Sequence, residues 1–189
     1  VMRAMVLEFT DDPACDYLDR QYMLGDSLLV APVFNEKGNV SYYLPKGTWT
    51  NFFTGEKIKG GCWRNENHGY MGIPLTVRPN SIVAIGNEDR KTDYDFAGDV
   101  TLHVFELQDG SDASTTVYNV NGEPELKVNI KRNDKMIHIK AEGSGKPWSI
   151  LMRGIQKIDS VEGACCEPDK LGIRIIPDKD ANQIKFYLG

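Results

Sequence analysis

Carboxylates are the first side chains in this sequence whose crowding suggests chemistry. Glu8, Asp11, Asp12, Asp16 and Asp19 fall within twelve residues, directly after the apolar run VMRAMVLEF. Two carboxyl groups held at a fixed separation can divide nucleophilic and acid work between them, but only on a rigid support. Acids crowded into a loop more often make a solvated face, a turn or a helix cap. The expectation for this cluster is therefore surface, not catalysis.

The remaining reactive side chains are dispersed. His68, His103 and His138 lie far apart and have no metal-ligand spacing. Cys15, Cys62, Cys165 and Cys166 form neither a CxxC pair nor a regular disulfide framework, and the last two are adjacent. Reduced thiols in a cytoplasmic protein are expected from them. Cys15 has no His or cationic neighbour in sequence to activate it. Ser27 and Ser81 lack the G-x-S-x-G context of a nucleophile elbow. Residues 42–70 are crowded with Tyr42, Tyr43, Trp49, Phe53, Trp63 and Tyr70, with Phe52 among them. Exposed rings can hold the apolar faces of pyranoses, yet such rings more often pack a core, and core is the reading taken here. No catalytic, cofactor-binding or metal-ligating residue is assigned, and no cofactor is expected.

Composition sets the bounds on what these residues serve. The chain has 189 residues, 41% hydrophobic and 26% charged, enough for a real core and for two modules. A net charge of −5 with scattered basic residues argues against nucleic acid as a partner. No apolar run approaches the ~20 residues of a membrane span, and no signal-peptide pattern is present. A membrane role is not expected.

Turn chemistry divides the chain into short apolar elements that would have to position any site. Residues 1–9 read as a buried strand. Pro13 at a first helical position predicts a short helix or helical loop over 13–24. Residues 28–33, LLVAPV, read as a strand buried on both faces. A four-residue hairpin loop at 35–38, then strands at 40–44, 48–53, 72–77 and 81–85, predict an antiparallel β-sandwich over residues 27–88. Residues 87–95 are polar and read as a connection. Beyond them, strands at 100–107, 115–120, 126–131, 136–141, 148–153, 172–176 and 183–188 predict a second sandwich over 89–189. Asn121-Gly122 is a strong hairpin signal there. Leu126, Val128 and Ile130 alternate with polar residues, so one face packs and the other is wet. The fold class expected is all-β, with two antiparallel β-sandwich modules.

Two stretches carry a resemblance to a known family. EFTDDPACDYLDRQYMLGDSLLVAPVF from residue 8 and LPKGTWTNFFTGE from residue 44 together resemble glycoside hydrolase family 31, the retaining α-glycosidases, and within it the bacterial α-xylosidases. The resemblance implies that residues 1–26 are the end of a (β/α)8 catalytic barrel, its last strand and a helical loop, with Glu8 or Phe9 bordering the substrate cleft. It further implies two Asp residues about 5 Å apart, one attacking the anomeric carbon and one serving as acid then base. In the family those lie on earlier barrel strands, so neither role is carried over to a residue here. The chain also opens at Val1 inside an apolar segment, as a boundary within a longer protein would. These 189 residues are thus expected to be inactive alone, with an oligosaccharide as substrate of the intact enzyme and the barrel domain as partner. An α-glucosidase of the same family, a carbohydrate-binding module and an assembly element making homo-oligomer contacts stand as alternatives.

Overall fold

Glycines at positive φ, among them Gly25, Gly38, Gly55, Gly110 and Gly122, punctuate the chain, and between them it forms short extended segments. A computed structural model describes residues 2–143, 145–179 and 181–189. Contacts group these into one unit up to Pro79 and a second from Asn80 onward.

The first unit opens with β1 (Met2–Ala4), a single turn of helix α1 (Met5–Glu8) and a 3-10 turn at Pro13–Cys15. Residues 1–9 are therefore not one strand. The helical turn carries Met5 into full burial and leaves Leu7 exposed, and β1 ends after three residues. The Asp12 side chain accepts the Ala14 N–H and caps the 3-10 turn, with Pro13 at its start. Helix does not continue to residue 24 as expected, because residues 22–24 pair with both β1 and the strand after them. They form β2 (Tyr22–Leu24), antiparallel to β1 and to β3 (Leu28–Val30). Gly25 at φ 62° makes the turn between β2 and β3.

Five further strands complete this unit: β4 (Asn39–Leu44), β5 (Thr48–Asn51), β6 (Lys57–Lys59), β7 (Cys62–Asn67) and β8 (Leu75–Val77). They build a six-stranded sheet in the order β1-β2-β3-β8-β5-β6 and a separate β4–β7 ribbon. The hairpin expected across residues 35–38 is absent, since β3 pairs with β2 and β8 while β4 pairs with β7. After Ala31, whose N–H bonds Pro74, the chain meets Pro32, which cannot donate to a ladder, and crosses to the ribbon. The core joins Met23, Leu29, Trp49 and Ile58 of the sheet with Tyr42 and Leu44 of the ribbon and with Met5 and Cys15 of the helical turns. Buried Trp49 donates its Nε1–H to the Pro45 carbonyl at 2.8 Å, so its one polar atom is satisfied.

The second unit begins at β9 (Ser81–Ile85). It was expected in the first sandwich, but it pairs along its length with β10 (Val100–Phe105). There follow β11 (Asp112–Tyr118), β12 (Pro124–Asn133), β13 (Met136–Gly143), β14 (Trp148–Arg153), β15 (Ile158–Glu162), β16 (Ala164–Asp169), β17 (Gly172–Pro177) and β18 (Gln183–Leu188). Two five-stranded sheets result, ordered β16-β17-β14-β10-β9 and β11-β12-β13-β18-β15. Among the described residues every pairing is antiparallel except β10 with β14, which run parallel. Leu102, Val104, Ile150 and Ile175 of one sheet share a single core with Val128, Ile130, Ile139 and Phe186 of the other. The alternation read at Leu126, Val128 and Ile130 is present, each buried between exposed or half-buried polar neighbours. Fold class and sequence reading agree: nearly all-β, in sandwich-like modules.

Candidate functional site

In the first unit, the β4–β7 ribbon supplies one wall of a groove. Side chains alternate faces along a strand, and the register sets three pairs on one face: Asn39 opposite Asn67, Ser41 opposite Asn65, and Tyr43 opposite Trp63. The pairs are bonded to each other. Asn67 Nδ2 donates to Asn39 Oδ1 at 2.9 Å and to the Lys37 carbonyl at 2.6 Å. The Ser41 hydroxyl donates to Asn65 Oδ1. The Tyr43 and Trp63 rings lie 5.8 Å apart at 57°. Tyr17, Asp19, Arg20 and Phe34 also line the groove, whose volume is about 730 Å³. Tyr17 is 93% exposed, Phe34 67% and Trp63 56%.

On the ribbon's other face, Tyr42 and Glu66 form a polar cluster with His68. Tyr42 Oη donates to Glu66 Oε1 at 2.6 Å, and His68 Nε2 lies 2.8 Å from Glu66 Oε2. Burial, followed by the bond to Glu66, pushes the Tyr42 hydroxyl upward. Burial also disfavours the Glu66 anion, but the Tyr42 and His68 hydrogen bonds, with the His68 and Arg64 charges, hold its carboxyl below the usual range.

The acidic cluster singled out in the sequence is put to structural use. Glu8 forms ion pairs with Arg3 at 3.1 Å and with Arg78 at 2.9 Å, and Arg78 also lies 5.2 Å over the Phe9 ring. Asp12, besides its capping bond, accepts the Tyr43 hydroxyl at 3.0 Å. Asp11, Asp16 and Asp19 are exposed. Beneath Asp12, Cys15 is 1% exposed, and burial, then the Asp12 and Asp16 charges, push its thiol to about 11. Such a thiol is a packing group, not a nucleophile.

The aromatic residues divide. Tyr42, Tyr43 and Trp49 are core, as read, whereas Phe53, Trp63 and Tyr70 are exposed. The ladder of Asn39, Asn65 and Asn67 was not found from the sequence. Its only trace is the alternation in CWRNEN at 62–67, a polar segment with no apolar face to mark it as a strand.

The second unit places its histidines separately. His103 on β10 accepts from Arg153 Nη1 at 3.2 Å. Burial, then the Arg153 and Arg174 charges, lower it to about 4. Arg174 is held by Asp169 at 3.0 Å and by the Thr101 and Ser149 hydroxyls. His138 sits on the outer face of β13, opposite Lys131 and Lys185.

Comparison with known proteins accounts for both units. Residues 1–83 match the glycosyl hydrolase family 31 C-terminal domain, and residues 95–188 match the C-terminal domain of alpha-xylosidase YicI. The alpha-xylosidase XylQ of Lactiplantibacillus pentosus is 35% identical over 146 residues, 76% of this chain and 19% of that protein. Alpha-glucosidase 2 of Bacillus thermoamyloliquefaciens is 25% identical over 163 residues, 79% of this chain and 20% of that protein. The chain thus spans about a fifth of the length of these relatives. The cycloalternan-forming enzyme of Listeria monocytogenes shares the fold at a TM-score of 0.81 with 19% identity, over 100% of this chain and 20% of that one. With family matches over both units and the relatives' fold across the whole length, the chain belongs to glycoside hydrolase family 31 and corresponds to its C-terminal domains.

Proposed function

We infer that these residues serve a retaining α-glycosidase that removes terminal, non-reducing α-linked xylose. The observation that carries the xylose reading is the match of residues 95–188 to an α-xylosidase C-terminal domain, joined by the identity to XylQ. The α-glucosidase relative is the rival. The two units brace a catalytic barrel and do no bond-making themselves. Supporting this, Glu8 and Asp12 are committed to Arg3, Arg78 and Tyr43. The first unit also exposes Met2, Leu7, Leu24, Tyr70 and Met71, apolar surface of the kind a further domain covers. Four unpaired cysteines fit a cytoplasmic setting, an oligosaccharide is the substrate, and self-association is one way to cover the exposed surface.

The test compares the 189 residues alone with a longer chain that includes the barrel, using chromogenic α-xyloside and α-glucoside. The expected result is no turnover by the 189 residues and preference for the xyloside by the longer chain. Turnover by the 189 residues overturns the support role, and preference for the glucoside overturns the xylose assignment. Light scattering across concentration reads the assembly state.

A further inference from the structure

We propose that the groove of the first unit binds a neutral oligosaccharide, with Trp63 as the stacking platform and the Asn39, Ser41, Asn65 and Asn67 ladder as the hydroxyl-reading wall.

Three features of the groove converge on that ligand. First, the ladder is uncharged. A sugar hydroxyl both donates and accepts, and an amide offers the same pair of functions on one rigid plane. Asn67 spends its donors on Lys37 and Asn39, and Asn65 Oδ1 receives Ser41. The exposed Asn39 and Asn65 therefore keep their own NH2 donors for a ligand while their planes are held fixed. Asp19 and Arg20, which also line the groove, add an acceptor and a donor.

Second, the Trp63 ring is half exposed and backed. Its neighbour Tyr43 is 8% exposed and has its hydroxyl tied to Asp12. A ring fixed from behind presents an apolar face at little ordering cost, which is what the C–H face of a pyranose packs on. Third, the pairs at 39/67, 41/65 and 43/63 repeat along the strand. They cover about 13 Å at ~3.3 Å per residue, room for more than one ring, and the groove volume of about 730 Å³ lies in the range of small-molecule sites. Charge excludes the anionic alternatives: Arg20 is the one basic side chain along the groove among the described residues, against Asp19 and Glu66.

This binding concerns the 189 residues by themselves and requires no hydrolysis, so it stands or falls apart from the xylosidase reading. The test follows the indole N–H resonances of the 189-residue chain by NMR during titration with maltotriose, isomaltotriose and, as a charged control, inorganic phosphate. The expected result is a saturable shift of the Trp63 resonance at millimolar trisaccharide, with that of buried Trp49 unmoved and no response to phosphate. Trp63→Ala abolishes binding, read by calorimetry. Asn65→Ala, which removes no apolar packing, weakens it about three- to ten-fold, the worth of one or two neutral hydrogen bonds. A Trp63 resonance unmoved by either trisaccharide overturns the proposal, as does undiminished binding by the Asn65→Ala chain.

Discussion

The side chain of Gln21 pairs with the backbone of Tyr43 as a neighbouring strand would: Gln21 Nε2 donates to the Tyr43 carbonyl at 2.8 Å, and the Tyr43 N–H donates to Gln21 Oε1 at 2.7 Å. Among the described residues, strand β4 has a ladder partner on one edge only, β7. At Tyr43 the other edge is satisfied by one amide, itself 5% exposed. Replacing it with the isosteric but apolar Leu strands a buried N–H and a buried C=O together. Gln21→Leu is expected to lower stability by about 2–4 kcal/mol, read as a shift in urea midpoint at constant slope. A change under about 0.5 kcal/mol, the scatter of ordinary surface substitutions, would show that water replaces the amide there.

Thiol reactivity separates the cysteines. Cys15 is buried with its thiol raised to about 11, while Cys62 and Cys165 are exposed. At neutral pH a thiol reagent is expected to modify Cys62 and Cys165 promptly and Cys15 only after denaturant is added. Mass spectrometry of the labelled peptides assigns the sites, and prompt label on Cys15 in the native chain contradicts the burial described.

His103 gives a pH dependence with a definite sign. Its folded value near 4 lies below the ordinary 6.5, so between these values the unfolded chain binds a proton that the folded chain refuses. The stability tied to neutral His103 is thus complete above 6.5, falls as the pH drops, and is gone below about 4. The His103 ring proton is expected to titrate near 4 in an NMR series, while urea midpoints decline across the same interval. A ring midpoint near 6.5 would remove the basis for this dependence.

Gly38 sits at φ 74°, and a β-carbon there would lie 2.0 Å from the His68 carbonyl oxygen. The approach is required, because His68 N–H bonds the Gly38 carbonyl at 2.9 Å and so closes the end of the ribbon. Gly38→Ala meets both backbone strain and a clash that no rotamer relieves, with an expected cost of about 2–4 kcal/mol. Thermal melting checks it; a melting temperature equal to that of the parent chain would mean the ribbon end is free to move.

What the sequence disclosed, and what it hid, follows from where each strand lies in its sheet. Interior strands such as β10, β12, β13 and β18 bury one side of an alternating pattern, and Leu126 to Ile130 could be read directly. Strands β15 and β16 lie at sheet edges. They carry IDSVE and ACCEPD, the latter with Pro168, which only an edge tolerates, so they offered little apolar signal. Strand β7 was missed for the same reason, and with it the groove, because Asn65 and Asn67 gain meaning only once their partners across the ribbon are known. The misassigned hairpin at 35–38 arose from assuming that consecutive strands pair, and Ser81–Ile85 was placed in the wrong sandwich by its nearness in sequence to Val77. The acids at 8–19 were left without a catalytic role, and no pattern could have told that Arg3 and Arg78 converge on Glu8 from residues 75 positions apart.

Because β14 lies parallel to β10, Val100 meets Trp148 across a detour that contains all of β11, β12 and β13. Closing that detour costs chain entropy before any of its contacts repay it. The three-strand meander, built from neighbours in sequence, is accordingly expected to gain protection first during refolding, with the β10–β14 seam sealing last. Pulse-labelled amide exchange would show Ile130 and Ile139 protected ahead of Leu102 and Ile150, and the reverse order would mean that the distant strands find each other without the meander as a guide.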